Sequence, residues 1–309
     1  MINNLKLHYV AGSHHALGTD CDLQIFGTND NWLIEQTEDL IDHYHDIFTV
    51  DRENSETMDI NHAAGLHPVQ VSPTTYDLVK LAVEKSRENF GFNALIGPLV
   101  KLWSIGFKNA HVPTDAQIQE RLRITDPQQV ELDDLNQTVF LKKKGMELDL
   151  GGIAKGYIAD RIRDFWHAYG IKSGIVNLGG NVLLVGASPR NPFGTWVVGV
   201  QDPKLKRGEN ITTVTVPECS AVTSGTYERV LKVNGKSYHH IIDPRTGYPV
   251  KTNVAGVTLF TRDSVQAEIE CKRLFFAGKP LAGWQNKKAG RYGAVFVYND
   301  DSVYSTFKA

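Results

Sequence analysis

Apolar and polar residues alternate over Leu5–Val10 and Asp22–Phe26, the period of strands that turn one face to a core. From about Asn31 the spacing lengthens. Trp32, Leu40, Ile41, Tyr44, Ile47 and Phe48 recur at helical intervals and predict an amphipathic helix. Ser72 before Pro73 is a cap and first-turn signal, and Tyr76, Val79, Leu81 and Val83 continue a second helix. A weaker helical pattern spans Ala116–Leu122. Thr138–Leu141 and Met146–Leu150 read as short strands about a Lys-Gly turn, followed by a helix from about Ile153 to Tyr169 that Gly170 is placed to end. Tyr227–Val233 and Lys236–Ile242 flank Asn234-Gly235, the dipeptide best suited to a type I′ turn, and predict a hairpin. Asp263, with Gln266 three residues on, is placed as N-cap and capping box of a last helix that stops at Gly278.

Strands in hairpins, interrupted by helices, predict an α+β fold of mainly antiparallel sheets with packed helices. No tandem repeat and no Pro-rich or Ser-rich linker divides the chain, so residues 1–309 read as one unit. Lys and Arg number 33 against 35 Asp and Glu, a net charge of −2, which leaves no basic surplus for a nucleic-acid backbone. The most apolar window, Ile175–Gly186, holds Asn177, Asn181 and glycines and falls short of the ~20 residues of a membrane span. Cys21, Cys219 and Cys271 show no paired spacing, as expected in a reducing compartment. The first residues lack the apolar stretch of a secretion signal, and both features point to the cytoplasm.

Four segments carry candidate chemistry. In Leu148–Tyr157 a strand ends in Asp149, Gly151 and Gly152 let backbone approach a ligand, and a helix opens with Lys155 in its first turn. Exposed helix N–H groups beside a cation suit a phosphate, although a tight β-to-α turn with a solvated Lys explains the segment equally well. A second glycine pair, Leu178-Gly179-Gly180-Asn181, reads first as a strand turn. The hydroxyls of Thr223–Glu228 either bind a ligand or turn the chain. In Tyr238–Gly247, alternation sends His239 and His240 to opposite faces, so one of them at most enters a given site. A histidine there can take a proton near neutral pH or be structural. Asp243-Pro244-Arg245-Thr246-Gly247 is turn chemistry, with Arg245 set to pair with Asp243.

In order along the chain, these segments resemble the ApbE family of FAD:protein FMN transferases. The markers are Leu17-Gly18-Thr19, Phe48–Asn61 with Asn54-Ser55-Glu56, Gly91–Trp103, Asp149–Tyr157, Asn177–Asn181, Thr223–Glu228 and His240–Gly247, so the resemblance covers about residues 15 to 278. It implies a T-fold-like architecture and an enzyme that, with Mg²⁺, moves the FMN half of FAD to a Thr or Ser hydroxyl of a target flavoprotein and releases AMP. It further implies that Leu17 and Phe48 line the flavin, that Gly91, Phe92 and Asn93 touch FAD, and that Asp149 and Lys155 hold its nucleotide portion. Ile242 would contact FAD through its backbone, Gly152 would offer a carbonyl to the metal, and His240 would assist deprotonation of the acceptor.

The last helix departs from the family. There the family carries Ala-Asp-x-x-x-Thr, whose Asp and Thr ligate Mg²⁺, whereas this chain reads Ala267-Glu268-Ile269-Glu270-Cys271-Lys272. Glu268 and Lys272 share a helical face and can pair. Either Lys272 bends away and Glu268, alone or with Glu270, still holds a metal at lower affinity or in a different geometry, with Cys271 nearby as an accidental soft ligand, or the Lys272 ammonium takes the metal's place. The second case admits a slow transferase, an FAD hydrolase or a flavin binder. Leu17 for Met keeps an apolar contact of similar volume, and Asn93 for Asp removes a charge.

Overall fold

The computed structural model describes residues 8–307. Eight strands lie side by side in chain order: β1 (Tyr9–Ala16), β2 (Thr19–Phe26), β3 (Ser173–Leu178), β4 (Asn181–Gly186), β5 (Cys219–Gly225), β6 (Val254–Thr261), β7 (Arg291–Tyr298) and β8 (Val303–Ser305). Each is antiparallel to its neighbours, as the α+β reading expects. Between β2 and β3 the chain forms α1 (Trp32–Phe48), α2 (Glu56–His62), α3 (Pro73–Arg87), α4 (Gly97–Trp103), α5 (Asp115–Leu122) and α6 (Ala154–Ala168), together with a small sheet of Val69–Gln70, Thr138–Leu141 and Val130–Asp133. α7 (Ser264–Ala277) joins β6 to β7.

Alternation in the strands feeds two layers. Cys219 and Ala221 of β5 and Val295 and Val297 of β7 pack with the ribbon Trp196–Gln201/Asn210–Val216 on one face, while Ala294 and Phe296 of β7 pack with α7 on the other. α1 and α6 cover the rest of that helical face. All eight residues of β6 are buried, because both faces of this strand are covered. Trp166 of α6 is fully buried and its indole N–H donates to Thr37 of α1 at 2.9 Å, so a large apolar group enters the core without a stranded donor. Truncating such a side chain to Ala costs about 3–5 kcal/mol.

Two turns set one end of the sheet. Leu17-Gly18 joins β1 to β2 with φ of 56° and 68°, and Gly179-Gly180 joins β3 to β4 with φ of 61° and 97°. β2 and β3 are neighbours, so the two turns sit together. A Cβ on Gly179 would meet the Thr19 side chain at 2.5 Å.

Several expectations change. The first strand is Tyr9–Ala16 rather than Leu5–Val10, whose first three residues lie outside the described residues. It is an edge strand, and its polar run Ser13-His14-His15 hides the alternation while Ser13 and His15 bond across to Asp22 and Asp20. Met146–Leu150 is extended but joins no sheet. The Asn61 side chain takes the place of a ladder there, accepting from the Leu148 N–H at 2.7 Å and donating to the Leu148 carbonyl at 2.9 Å. The Asp263 capping box does not form, because the Asp160 carboxylate of α6 accepts the Ser264 and Val265 N–H groups, each at 2.9 Å, and Asp263 turns to Arg163. The hairpin is shorter than expected, Val230–Val233 with Lys236–His239, and its Asn234-Gly235 turn carries the expected positive φ angles.

Candidate active site

The site forms where α6 and α7 meet. Gly156 makes their close approach possible, since a Cβ there would lie 2.5 Å from the Ser264 carbonyl oxygen and 2.8 Å from Glu268 Cγ. Beside this crossing, Lys272 of α7 donates from Nζ to the Gly152 carbonyl at 2.7 Å, to the Glu268 carbonyl at 3.1 Å and to Glu268 Oε2 at 3.2 Å. The ammonium thus lies between the two residues that the family resemblance assigns to the metal.

Glu268 is fixed from its other side as well. Its Oε1 accepts from the Asn181 amide at 2.9 Å, Asn181 Oδ1 accepts from Ser264 Oγ at 2.8 Å, and Ser264 Oγ accepts from Ser220 at 2.9 Å. Burial alone would raise the Glu268 carboxyl. Lys272, Lys155 and the Asn181 amide outweigh it and hold the group below the usual carboxylate range. Glu268 is therefore a buried carboxylate with partners for both oxygens.

Gly91 and Phe92 close another wall. Gly91 has φ of 76°, and a Cβ on it would lie 2.8 Å from Arg273 Cα, so only glycine lets this loop lie against α7. The Phe92 ring lies 6.0 Å from Lys272 Nζ. Asn93 donates to the Thr125 carbonyl at 2.9 Å and accepts from the Leu95 N–H at 2.8 Å. The first of these bonds needs an amide and explains why Asn serves at this position.

Asp149 accepts the Gly151 N–H at 2.8 Å, and burial raises its carboxyl above the usual range despite that bond. His239 is tied to backbone, with Nε2 at 2.9 Å from the Val250 carbonyl and Nδ1 accepting from the Ile241 N–H. His240 is different: its Nδ1 is buried without a hydrogen-bond partner. Burial, with Arg229, His239 and Lys272 adding to it, pushes the His240 imidazole down to about 4. It is neutral at pH 7.

The other expected residues fall in two apolar clusters, Leu17 and Phe48 in one and Ile242 in another. Leu17 packs, partly buried, against the core that contains Ile153 of the α6 entry turn. Phe48 is 4 % exposed, stacked on Tyr44 and edge-on to Tyr157, so the more accessible rings of that cluster belong to the two tyrosines. Ile242 is buried with Leu99 and Trp103 and bridges to Pro249. Cys271 points away, its Sγ on the Val222 and Val257 carbonyls of the sheet, where it cannot serve as a ligand beside Lys272. Asp243 pairs with Arg245 at 2.8 Å, as the turn reading expects. Asn181, Asn61, Tyr44 and Tyr157 are additions that the structure supplies, and of these Asn181, Asn61 and Tyr157 stood within recognisable segments.

As arranged, these residues do not offer Mg²⁺ a site. Mg²⁺ needs oxygen donors at ~2.0–2.1 Å, and the space between the Gly152 carbonyl and the Glu268 carboxylate is filled by Lys272 Nζ. Among the described residues no group of three His, Cys, Asp or Glu could hold a metal elsewhere.

Comparison with known proteins agrees along nearly the whole chain. The ApbE family model matches residues 17–296. An FAD:protein FMN transferase from Klebsiella pneumoniae (strain 342) is 43% identical across 94% of this chain and 90% of its own length. One from Treponema pallidum (strain Nichols) is 33% identical across 93% and 84%. Among solved structures, an ApbE protein from Thermotoga maritima superposes with a TM-score of 0.84 at 30% identity, covering 96% of this chain and 97% of its own. The flavin transferase ApbE from Vibrio cholerae gives 0.78 at 25% identity, covering 97% of each. A match of this extent establishes that the chain belongs to the ApbE family.

Proposed function

We propose that the protein transfers the FMN half of FAD to a Thr or Ser hydroxyl of a target flavoprotein and releases AMP. The observation that carries this reading is the Gly152–Lys272–Glu268 centre at the α6–α7 crossing, in a chain that matches FMN transferases over most of its length. In the reaction the acceptor hydroxyl oxygen bonds to the phosphorus on the FMN side, and the bond from that phosphorus to the bridging oxygen breaks. AMP leaves with the electron pair, and the hydroxyl proton passes to the His240 imidazole. Phosphoryl transfer of this kind depends on positioning and charge more than on covalent chemistry by the protein.

The residues divide the work. Lys155 and Asp149, at the α6 entry turn, hold the nucleotide portion. Gly91, Phe92 and Asn93 form the loop against α7 that FAD touches, Ile242 presents backbone, and Leu17 with Phe48 supports the flavin side. An imidazole near 4 is a weak base, held there by burial first and then by Arg229, His239 and Lys272, and a bound diphosphate would offset the charged part of that depression. The partners are FAD and the acceptor flavoprotein, with no nucleic acid. No helix among the described residues is long and apolar enough to cross a membrane. The site draws on segments from Leu17 to Lys272, which supports reading the chain as one catalytic unit. Three free, buried cysteines support a cytoplasmic setting.

The test is to incubate the purified protein with FAD and a purified flavoprotein acceptor domain, then denature. Flavin fluorescence on the acceptor with equimolar AMP supports transfer. AMP without labelled acceptor means hydrolysis, bound FAD without AMP means a binder, and either result overturns the reading.

A further inference from the structure

We propose that Lys272 is a tethered cation that does the electrostatic work of a divalent metal beside the diphosphate of FAD, so that FAD binds without a metal. The identity of the ligand rests on the flavin-transfer reading above. The placement of the charge rests on geometry. Nζ meets three oxygens from two separate segments, the Gly152 carbonyl of the α6 entry turn and both the backbone and the carboxylate of Glu268 on α7. A carbonyl and a carboxylate converging on one point form a hard-oxygen cradle for a cation, and the cation in it is part of the chain.

The cradle is built rather than a chance rotamer. Glu268 is 6% exposed and its second oxygen is locked by Asn181, which Ser264 and Ser220 hold in turn. A carboxylate so placed needs a positive partner, because an unpaired buried charge is strongly destabilising. Lys272 itself is not sealed in. Its side chain retains 22% exposure and lies by the Phe92 ring. Its three N–H donors are all given to protein oxygens, so the ammonium acts on a nearby ligand through its charge rather than by donating to it. An ammonium carries one unit less charge than a divalent ion, so Lys155, which also bears on Glu268, becomes the second positive group of the site.

The experiment reads FAD affinity as well as transfer. Protein stripped with EDTA is titrated with FAD by flavin fluorescence, with and without Mg²⁺, alongside Glu268→Asp/Lys272→Thr and Glu268→Gln/Lys272→Met. The second pair removes both charges together and leaves no stranded carboxylate, and its fold is checked by circular dichroism. For the wild type, the expected change in affinity on adding Mg²⁺ is under about twofold. Glu268→Asp/Lys272→Thr should bind FAD about tenfold tighter with Mg²⁺ than without, and Glu268→Gln/Lys272→Met should bind about tenfold more weakly than wild type whether or not Mg²⁺ is present. A tenfold Mg²⁺ response in the wild type, or wild-type affinity in a folded Glu268→Gln/Lys272→Met, overturns the proposal. If that last variant does not fold, the wild-type comparison decides. FMN transfer scored in the same samples separates the two readings: metal-free FAD binding through Lys272 with no transfer removes the transferase reading alone, and no FAD binding under any condition removes both.

Discussion

The amide of Asn181, at the start of β4, donates to Glu268 Oε1 at 2.9 Å across 87 residues of sequence. It joins the sheet to the helix that carries Lys272. Replacing Asn181 by Leu keeps the volume but leaves Glu268 Oε1 without its amide donor and the Ser264 O–H without an acceptor, while the Ser264 oxygen still accepts from Ser220. Each such loss costs about 1–3 kcal/mol. Urea denaturation should show a drop of that order, and FAD should bind more weakly because Glu268 no longer fixes the Lys272 ammonium. A variant with the stability of the wild type would show that water substitutes for the amide.

His240 predicts an acid-sensitive fold. The imidazole's ordinary value is 6.5 and the folded protein holds it near 4, through burial first and then Arg229, His239 and Lys272. The unfolded chain therefore takes up a proton in a range where the folded one does not. Stability is lost as pH falls from 6.5 toward 4, by about 3 kcal/mol over that window. His240→Gln should show a shallower decline over the same range in chemical denaturation. FAD should also flatten the wild-type curve, since its diphosphate favours the protonated ring. Parallel curves for the two proteins would remove His240 as the source.

Legibility in the sequence follows distance along the chain. Asn234-Gly235, the Gly170 and Gly278 stops and the Asp243–Arg245 turn are local signals, and the structure contains each of them. The Glu268–Lys272 pair is legible because helical spacing alone puts the two residues on one face. What sequence hides is long-range substitution of one polar partner for another. Asp263 looks like a cap, yet the N–H groups it would serve are taken by Asp160, 104 residues earlier. Met146–Leu150 looks like a strand, yet an asparagine side chain satisfies its backbone. In each case local preference is met by a competitor that only the fold brings near.

Gly156 tests the helix crossing. An added Cβ would meet the Ser264 backbone at 2.5 Å, which cannot be relieved by rotating a side chain. Gly156→Ala would otherwise favour the helix by up to about 1 kcal/mol. The clash should outweigh that gain, with overpacking costing about 1–3 kcal/mol. A lower melting temperature together with weakened FAD binding is expected, since separating α6 from α7 moves Gly152 away from Lys272. A more stable Gly156→Ala would show that the helices separate without cost.

Asn61 tests whether the entry to Asp149 is held by a side chain. Its amide group makes both bonds that a neighbouring strand would make to Leu148, one accepted and one donated. Asn61→Ala leaves a backbone donor and acceptor unpaired together, at about 1–3 kcal/mol for each if water stays out. Asn61→Asp keeps the accepted bond and turns the donated one into a contact between a carboxylate and a carbonyl. It should therefore lose less stability than Ala at low pH, where the protonated acid can donate, and more of it at neutral pH. Neither variant touches FAD directly, so a fall in FAD affinity that tracks the pH dependence of Asn61→Asp would identify Asn61 as the residue that positions Asp149. Equal stability of the two variants at every pH would instead mean that the Leu148 backbone finds its partners without the side chain.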